Sequence, residues 1–329
     1  MQSTSFGLQE MKREQVKEVL ACLDDERRVF RYFRDRYCFD LMEFEMDRQG
    51  YESIKVAELK AGSLGRYLQK PVVAQALKHC ANGLVSKQDL QTLWSKDLLP
   101  FYVSLSSWGE ADRGWDQTSR NQCNLVLQLN FDGKHDEQYR KLVKPDDDCG
   151  PFECWGHPVQ KGNRKTMSWI RMDIDFDTNE VLIEEIQSDW LRNASSALAC
   201  VKSRRTKKPS LKPRDVYGDI LGDFEDLESY VEQTLAPYRK IWAEASMLAA
   251  LRLIRDELGL STVYYHSFDT GKKLKDVCGA PPRSMYTQLP KQFGFEETGD
   301  APEFLVRDKF ARRCIKAIHN PRWFRRLVK

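Results

Sequence analysis

Polar side chains crowd the end of one apolar run in this chain. They are Glu184, Glu185, Gln187 and Asp189, and the apolar residues Val181–Ile183 come just before them. Side chains of a strand alternate between its two faces. We therefore expect one face to carry Glu185, Gln187 and Asp189, and the other to carry Glu184, Ile186 and Ser188. Buried polar groups are unfavourable unless they meet water, each other or a ligand. The pattern favours a cleft with Glu185 as a general base or substrate anchor, and a solvated strand edge is the alternative.

A histidine lies at the predicted end of a later strand. The run Ser261–Phe268 is rich in β-branched and aromatic residues, so it predicts a strand with His266 near its C-terminal end. In mixed sheets, the C-terminal ends of strands line the ligand crevice. His266 is therefore a candidate base or phosphate partner, and a buried, hydrogen-bonded histidine is the alternative.

A short helix over residues 283–293 is the third candidate element. Two prolines at 281 and 282 fix its start, and Arg283, Ser284 and Tyr286 open it. Free backbone amides together with an arginine favour an anionic ligand. Tyr286 is then a candidate acid, and a capped, packed helix is the alternative.

The cysteines and the apolar runs bound the class of protein. Cys149, Cys154 and His157 are zinc-ligand types, but no fourth ligand stands at a standard spacing, so we predict no metal site. The nine cysteines include no CxxC pair, and we expect reduced thiols in a cytoplasmic protein. Apolar runs stay well below about 18 residues and no basic-then-apolar leader pattern is present. Neither a membrane span nor a secretory signal is therefore expected.

The spacing of apolar residues predicts helices first and strands later. Helical spacing through residues 8–48, and in shorter stretches of 54–99, predicts a helical region over 1–99. After it we expect a loop-rich stretch at 132–165 and a long helix at 237–258. Alternation and β-rich composition predict strands at 101–106, 123–131, 166–175, 181–186, 261–268 and 303–307. Antiparallel strands followed by a strand–helix–strand unit indicate an α+β fold with a sheet of mixed sense.

Two parts of the chain resemble known families. Residues 183–190 have the sequence IEEIQSDW, which resembles the EIQSDW motif of domains in large polyvalent proteins of phages and plasmids. Over residues 100–308, the order of elements resembles the GNAT acyltransferase fold, in which a gap beside a splayed central strand receives the pantetheine arm of acyl-coenzyme A. The resemblance implies a GNAT-like mixed β-sheet with flanking helices over 100–308, with a basic insert at 200–215. Spacing and composition predict the helical region before it (1–99) and a basic C-terminal tail after it (309–329).

The same resemblance implies transfer of an acyl group from acetyl-CoA or another acyl-CoA to an amine. Glu185 would take a proton from the amine, Tyr286 would return one to sulfur, and His266 is the third candidate catalytic residue. The residues implied to bind the donor are Ile186, Gln187, Ser188, Arg283 and Ser284. Those implied to bind the substrate are Glu184, Asp189, Trp190 and Tyr264. The family's phosphate-binding loop has two glycines after its strand, and these positions hold Trp190 and Arg192 here.

The charges of the chain are strongly segregated. Its 52 basic and 49 acidic residues leave a net charge of +3, but residues 202–214 and 307–329 contain sixteen basic residues and one acidic residue. These segments predict a second class of function, a non-catalytic module that binds nucleic acid or a protein partner. Trp323 and Phe324 among the arginines would add stacking on bases. A solvated charged face is the alternative.

Overall fold

One mixed β-sheet of eight strands organises the structure. The computed structural model describes residues 14–23, 28–78, 80, 83–92, 95–109, 116–146, 150–159, 164–276 and 282–329. The strands are β1 (Arg28–Tyr32), β2 (Ser53–Lys55), β3 (Leu84–Ser86), β4 (Leu99–Trp108), β5 (Asn124–Asn130), β6 (Thr166–Asp175), β7 (Glu180–Gln187), β8 (Thr262–His266), β9 (Glu296–Thr298) and β10 (Trp323–Leu327). The order in the sheet is β1-β4-β5-β6-β7-β8-β10-β9, and β2 and β3 form a separate ribbon.

Helices pack on both faces of this sheet. They are α1 (14–22), α2 (Tyr37–Gln49), α3 (Val56–Ala61), α4 (Pro71–Leu77), α5 (Lys87–Thr92), α6 (Gly133–Leu142), α7 (Asp189–Arg205), α8 (Phe224–Ser229), α9 (Ala236–Arg252), α10 (Phe268–Leu274), α11 (Gln288–Gln292), α12 (Glu303–Arg307) and α13 (Lys309–Ala317). Two π-helical turns, Tyr230–Thr234 and Leu253–Glu257, precede and extend α9.

The strand pairing confirms an α+β fold with a sheet of mixed sense and flanking helices. Strands β1 and β4 to β7 pair antiparallel in succession, whereas β7 and β8 are parallel. A parallel pair needs a long crossover rather than a turn, and α7, α8 and α9 lie in the crossover between β7 and β8. Strand β10 then pairs antiparallel with both β8 and β9.

The sheet extends beyond the predicted boundaries at residues 99 and 308. The prediction of helix is wrong at 28–32, because β1 pairs with β4 along its whole length. The prediction of a strand at 303–307 is also wrong, since these residues form α12 directly after Pro302. The last strand is β10, which belongs to the predicted basic tail and buries Trp323 and Phe324. Both residues are therefore unavailable for stacking on bases.

Two shorter stretches are more helical than their composition suggests. Residues 133–142 of the predicted loop form α6, whose first turn is capped by Asp132 accepting the His135 backbone N–H at 3.0 Å. Helix α7 continues through Arg205 into the basic insert. Basic side chains are favourable at that end, because the C-terminus of a helix carries partial negative charge.

The two faces of β6 have different chemical character. One face contributes Ile170, Met172 and Ile174 to the main hydrophobic core. Helix α9 covers this face, where the hydroxyls of Ser168 and Ser246 lie 2.8 Å apart. The alternate residues Trp169, Arg171 and Asp173 lie on the other face, which we call the polar face. Helices α12 and α13 cover a second hydrophobic cluster there.

Glu244 on α9 joins the N-terminal region to the body of the fold. Its carboxyl group accepts the backbone N–H of Asp35 at 3.0 Å and the side-chain amide of Gln292 at 3.1 Å. Burial raises the pKa of Glu244 to about 7, and the charge of Asp35 adds to this effect. The folded protein therefore holds a proton on Glu244 at pH values where the unfolded chain, with an ordinary pKa near 4.3, has released it.

We expect the stability of the wild type to fall as the pH rises through this window. From about pH 4.3 to 7 the folded state binds more protons, so the free energy of unfolding decreases with rising pH. The loss should be on the order of 1–3 kcal/mol. Glu244→Gln removes the titration, so the variant should gain stability relative to the wild type between about pH 5 and pH 8. Urea unfolding of both proteins at pH 5 and at pH 8 measures the two free energies of unfolding. A difference between the proteins that does not change with pH would contradict the expected titration of Glu244.

Candidate functional site

A β-bulge at Glu184 places two neighbouring carboxylates on the polar face. In the ladder between β6 and β7, Arg171 lies opposite Glu185 and Met172 lies opposite Ile183, so Glu184 is an extra residue. An extra residue interrupts the regular alternation of side chains. The predicted alternation is wrong at this point, because the contacts of Glu184 and Glu185 are both on the polar face.

Glu184 is at the centre of a fully buried network. Its carboxylate accepts the backbone N–H of Ser119 at 2.9 Å and the Ser119 hydroxyl at 2.8 Å, and lies 3.0 Å from Nε2 of His266. Burial alone would raise the pKa of Glu184, but hydrogen bonds from His266 and Ser119 and the charge of Lys275 hold it at about 2. Burial lowers the pKa of His266. We therefore assign a neutral imidazole that donates its Nε2–H to the Glu184 carboxylate.

An adjoining cluster surrounds Glu185. Nη2 of Arg171 donates to Glu185 Oε2 at 2.6 Å, and Nζ of Lys275 donates to the backbone carbonyl of Glu184 at 2.7 Å. Burial would raise the pKa of Glu185, but Lys275 and Arg171 hold it below its usual range. Burial lowers the pKa of Lys275. Two carboxylates and two cations thus share a water-poor region, and the buried Tyr286 has its pKa raised by desolvation.

This cluster has unused hydrogen-bonding capacity. Within it, Nδ1 of His266 and Nε of Arg171 are buried without a hydrogen-bond partner among the described residues. Buried polar atoms in folded proteins are usually satisfied. The arrangement is therefore suited to binding a small polar group, or to moving a proton between His266 and a neighbour.

A separate polar group forms where β7 passes into α7. Asp189 accepts Nδ1–H of His157 at 2.8 Å and Nε1–H of Trp169 at 2.9 Å, and its other oxygen accepts from Gln187 and Arg192. Burial would raise the pKa of Asp189, but the bonds from His157 and Trp169 keep it below its usual range. These contacts hold the carboxylate in one orientation.

The structure brings together only part of the predicted site. Glu184, Glu185 and His266 meet in what we call the polar-face cluster, together with Ser119, Arg171 and Lys275. Tyr286 does not, because it packs in the main hydrophobic core with its ring stacked on Tyr265 at 5.5 Å. Ile186 packs in the main core, Ser188 caps α7 by accepting the Leu191 N–H, and Trp190 is buried with its Nε1–H on the Tyr230 hydroxyl. Tyr264 lies in the second hydrophobic cluster, Ser284 is exposed, and the Arg283 guanidinium lies 4.7 Å from the Phe268 ring.

Four residues of these clusters were not predicted as site residues. Arg171 is marked by a positive charge within a strand whose ten residues are all buried, and its full burial requires acidic or carbonyl partners. His157 was considered only as a metal ligand. Ser119 and Lys275 lie outside regular elements, where no periodic pattern marks them, and only the fold places them against Glu184.

The described residues do not fit coenzyme A at the end of β7. The parallel pairing of β7 and β8 stops at Ile183 and Tyr265, although β7 continues to Gln187. Beyond that point, the side chains of Lys275 and His266 both bond to Glu184 and lie beside the end of β7. The first turn of α7 presents the carboxylate of Asp189, whose negative charge would repel a pyrophosphate. We therefore derive no step through this cofactor.

Gly271→Ala should disturb the polar-face cluster through His266. A β-carbon at Gly271 would lie 2.9 Å from Cβ of His266, which is too close to be tolerated without movement. We expect the free energy of unfolding to fall by about 1–3 kcal/mol, as for overpacked cores. The matched control is Gly133→Ala in α6, where nothing lies within 4 Å and the change should be neutral or stabilising by up to about 1 kcal/mol. Thermal unfolding that gave the two variants equal stability would contradict the expected clash.

Helix α13 carries a row of exposed cations. Lys309, Arg312, Arg313 and Lys316 have the spacing i, i+3, i+4 and i+7, which places them on one face. In the described part of the chain, none of the four forms an ion pair with a carboxylate. The opposite face packs into the second hydrophobic cluster through Ala311, Ile315 and Ile318.

Further cations adjoin this helix. Helix α10, with exposed Lys272 and Lys273, packs beside α13, and the backbone N–H of exposed Arg322 donates to Thr270 of α10 at 2.8 Å. We call the four cations of α13, together with Lys272, Lys273 and Arg322, the basic surface.

The basic insert is partly neutralised within the fold. Lys202 pairs with Glu228 at 2.7 Å, Arg205 lies 3.7 Å from Glu225, and Lys212 lies 3.6 Å from Asp223. These acids belong to α8 and its N-terminal flank, so the insert and α8 have complementary charge. The basic surface at α13 is therefore the stronger candidate for an external anion.

Comparisons with known proteins give no relative for this chain: no family model, no curated protein and no solved structure matches it. Among the described residues, no helix has the length and apolar character required to cross a bilayer.

Proposed function

We propose that the protein binds nucleic acid through the basic surface. The observation that carries the proposal is the row of Lys309, Arg312, Arg313 and Lys316 on α13, exposed and without acidic partners in the described part of the chain. Phosphate contacts by lysine and arginine dominate the affinity of proteins for nucleic acid. A rigid helix with cations on one face can follow a phosphate backbone.

The packing of α13 favours nucleic acid over a membrane surface. Helices that lie in a membrane interface insert their apolar face into the lipid. In α13 that face is occupied within the protein, since Ala311 is fully buried and Ile318 is 9% exposed. The accessible side carries the four cations together with Phe310, which is 46% exposed, and electrostatic contact with phosphates needs no apolar insertion.

A salt titration of binding tests this proposal. Fluorescence anisotropy with labelled single-stranded and duplex oligonucleotides should give an affinity that falls by about 10³-fold or more between roughly 50 and 200 mM salt, if six or seven phosphates are contacted. Absence of binding at the lowest salt would contradict the proposal. Binding to an acidic peptide but to neither oligonucleotide would assign the basic surface to a protein partner instead.

Acyl transfer is a second candidate function, favoured by the strand order and the parallel pair that separates after Ile183. Of the residues with implied roles, Glu185 lies in the polar-face cluster, whereas Tyr286 stacks on Tyr265 in the main core. The described residues do not fit coenzyme A there. Calorimetric titration with acetyl-CoA tests this candidate, and we expect no saturable binding. A saturable isotherm with one site would make acyl transfer the leading function.

A further inference from the structure

A turn before β6 brings a cysteine and a histidine next to the buried Asp189. The backbone N–H of His157 donates to the carbonyl of Cys154 at 3.0 Å, so both side chains project from one turn. Ligand atoms of Cys154, His157 and Asp189 all lie within 4.8 Å of one another. Zinc bonds are about 2.0–2.3 Å long, so the three atoms need to move by only about 1 Å to share one ion.

The side-chain types and charges suit a divalent transition metal. Thiolate, imidazole and carboxylate are the three ligand classes that Zn²⁺ uses in proteins. A thiolate on Cys154 and the carboxylate of Asp189 would together neutralise the two charges of the ion, with His157 as a neutral ligand. Magnesium and calcium prefer oxygen ligands alone, so the sulfur atom disfavours them.

The groups around Asp189 would serve as the outer shell of such a site. Metal-binding carboxylates are usually held by further hydrogen bonds, which fix their orientation. Trp169 donates Nε1–H to Asp189 at 2.9 Å, and Gln187 and Arg192 donate to its other oxygen. Three donors besides His157 therefore already hold the carboxylate.

The turn itself is anchored on both sides. The side-chain amide of Gln128 on β5 donates to the carbonyl of Pro158 at 2.8 Å, and that of Asn193 on α7 donates to the carbonyl of Phe152 at 3.1 Å. The His157 side chain remains 32% exposed, which leaves a route from solvent. The ligands are thus positioned before any ion arrives, and an ion can reach them.

We propose that Cys154, His157 and Asp189 bind one zinc ion. Three protein ligands leave the fourth tetrahedral position for water, as in open zinc sites. Cys154 and His157 are close in the sequence, whereas Asp189 lies more than thirty residues later, just after β7. This is why the spacing alone predicts no metal site.

Cobalt substitution tests the proposal directly. The full chain, treated with a chelator and titrated with Co²⁺, should develop a thiolate-to-cobalt charge-transfer band and intense visible bands that saturate at one equivalent and disappear on addition of Zn²⁺. Cys154→Ser should abolish the charge-transfer band, and His157→Ala should abolish tight binding. Trp169→Phe removes one outer-shell donor and should weaken Zn²⁺ binding by about 10- to 100-fold.

The control variant is Cys314→Ser, which changes another partly buried cysteine far from Asp189 in the sequence. This variant should keep the full cobalt spectrum. The proposal is overturned if the wild type shows no charge-transfer band, or if the band persists in Cys154→Ser. Circular dichroism confirms that each variant is folded, so that loss of the band reports on the ligand and not on the fold.

Discussion

Arg120→Met should lower the free energy of unfolding by about 3–5 kcal/mol, the usual effect of removing one partner from a buried ion pair. Arg120 donates to both oxygens of Asp173, at 2.6 and 2.7 Å, and to Asp175 at 3.1 Å. The side chains of all three residues are at most 2% exposed. Methionine matches the volume of arginine approximately but leaves two buried carboxylates without the guanidinium. The midpoint of urea denaturation, converted with the measured slope, gives the change.

The control for this experiment is an exposed ion pair. Arg307 bonds to Glu303 one helical turn away in α12, with more than half of each side chain exposed. Arg307→Met should change stability by no more than about 0.5 kcal/mol, because exposed pairs contribute little. An equally small effect of Arg120→Met would contradict the expectation that the buried ion pair is the more costly one to break. Since Ser119 precedes Arg120, the variant should also disturb the network around Glu184.

Neutralising the cations of α13 should nearly abolish nucleic-acid binding. A variant that replaces Lys309, Arg312, Arg313 and Lys316 with glutamine removes up to four phosphate contacts. The slope of log K against log salt should then become shallower by about 3 to 4, since each contact contributes about 0.9. At low salt this corresponds to a loss of affinity of more than about 100-fold. Anisotropy titrations at several salt concentrations measure both quantities, and α13 should stay folded because its buried face is unchanged.

A matched set of cations in the basic insert serves as the control. Arg204, Lys207, Lys208 and Arg214 are also exposed in the described structure, and glutamine at these positions removes the same charge. This variant should retain most of the affinity and of the salt slope. An equal loss in both variants would show that binding depends on total charge, and would contradict a specific role of α13.

Regular elements could be predicted where one pattern dominated. The alternation over 166–175 predicts β6 to the residue, because every residue of this strand is buried and its two faces differ in chemistry. Strand β1 is not predictable from spacing, because Val29, Phe30 and Phe33 are spaced as in a helix, and only the pairing with β4 makes this segment a strand. Strand β10 is not predictable either, because two arginines interrupt its short run of buried residues.

The candidate site could be predicted only as separate pieces. The residues Glu184 and His266 were identified one by one, but their 3.0 Å contact joins strands 82 residues apart in the chain. The bulge that turns Glu184 towards His266 has no signature in the alternation, because it arises from pairing with β6. Local sequence patterns indicate which polar groups are unusually placed within apolar segments, whereas the pairing of the strands determines which of these groups come into contact.

The position of β10 inside the sheet has a consequence for the order of folding. Strand β8 pairs with β7 on one side and with β10 on the other, and β9 pairs with β10 alone among the described strands. Until β10 docks, β8 presents an open hydrogen-bonding edge and β9 has no neighbour. Open edges recruit other chains during synthesis. We therefore expect this half of the sheet to be completed only when β10 docks, and a chaperone that covers β8 should raise the yield of folded protein.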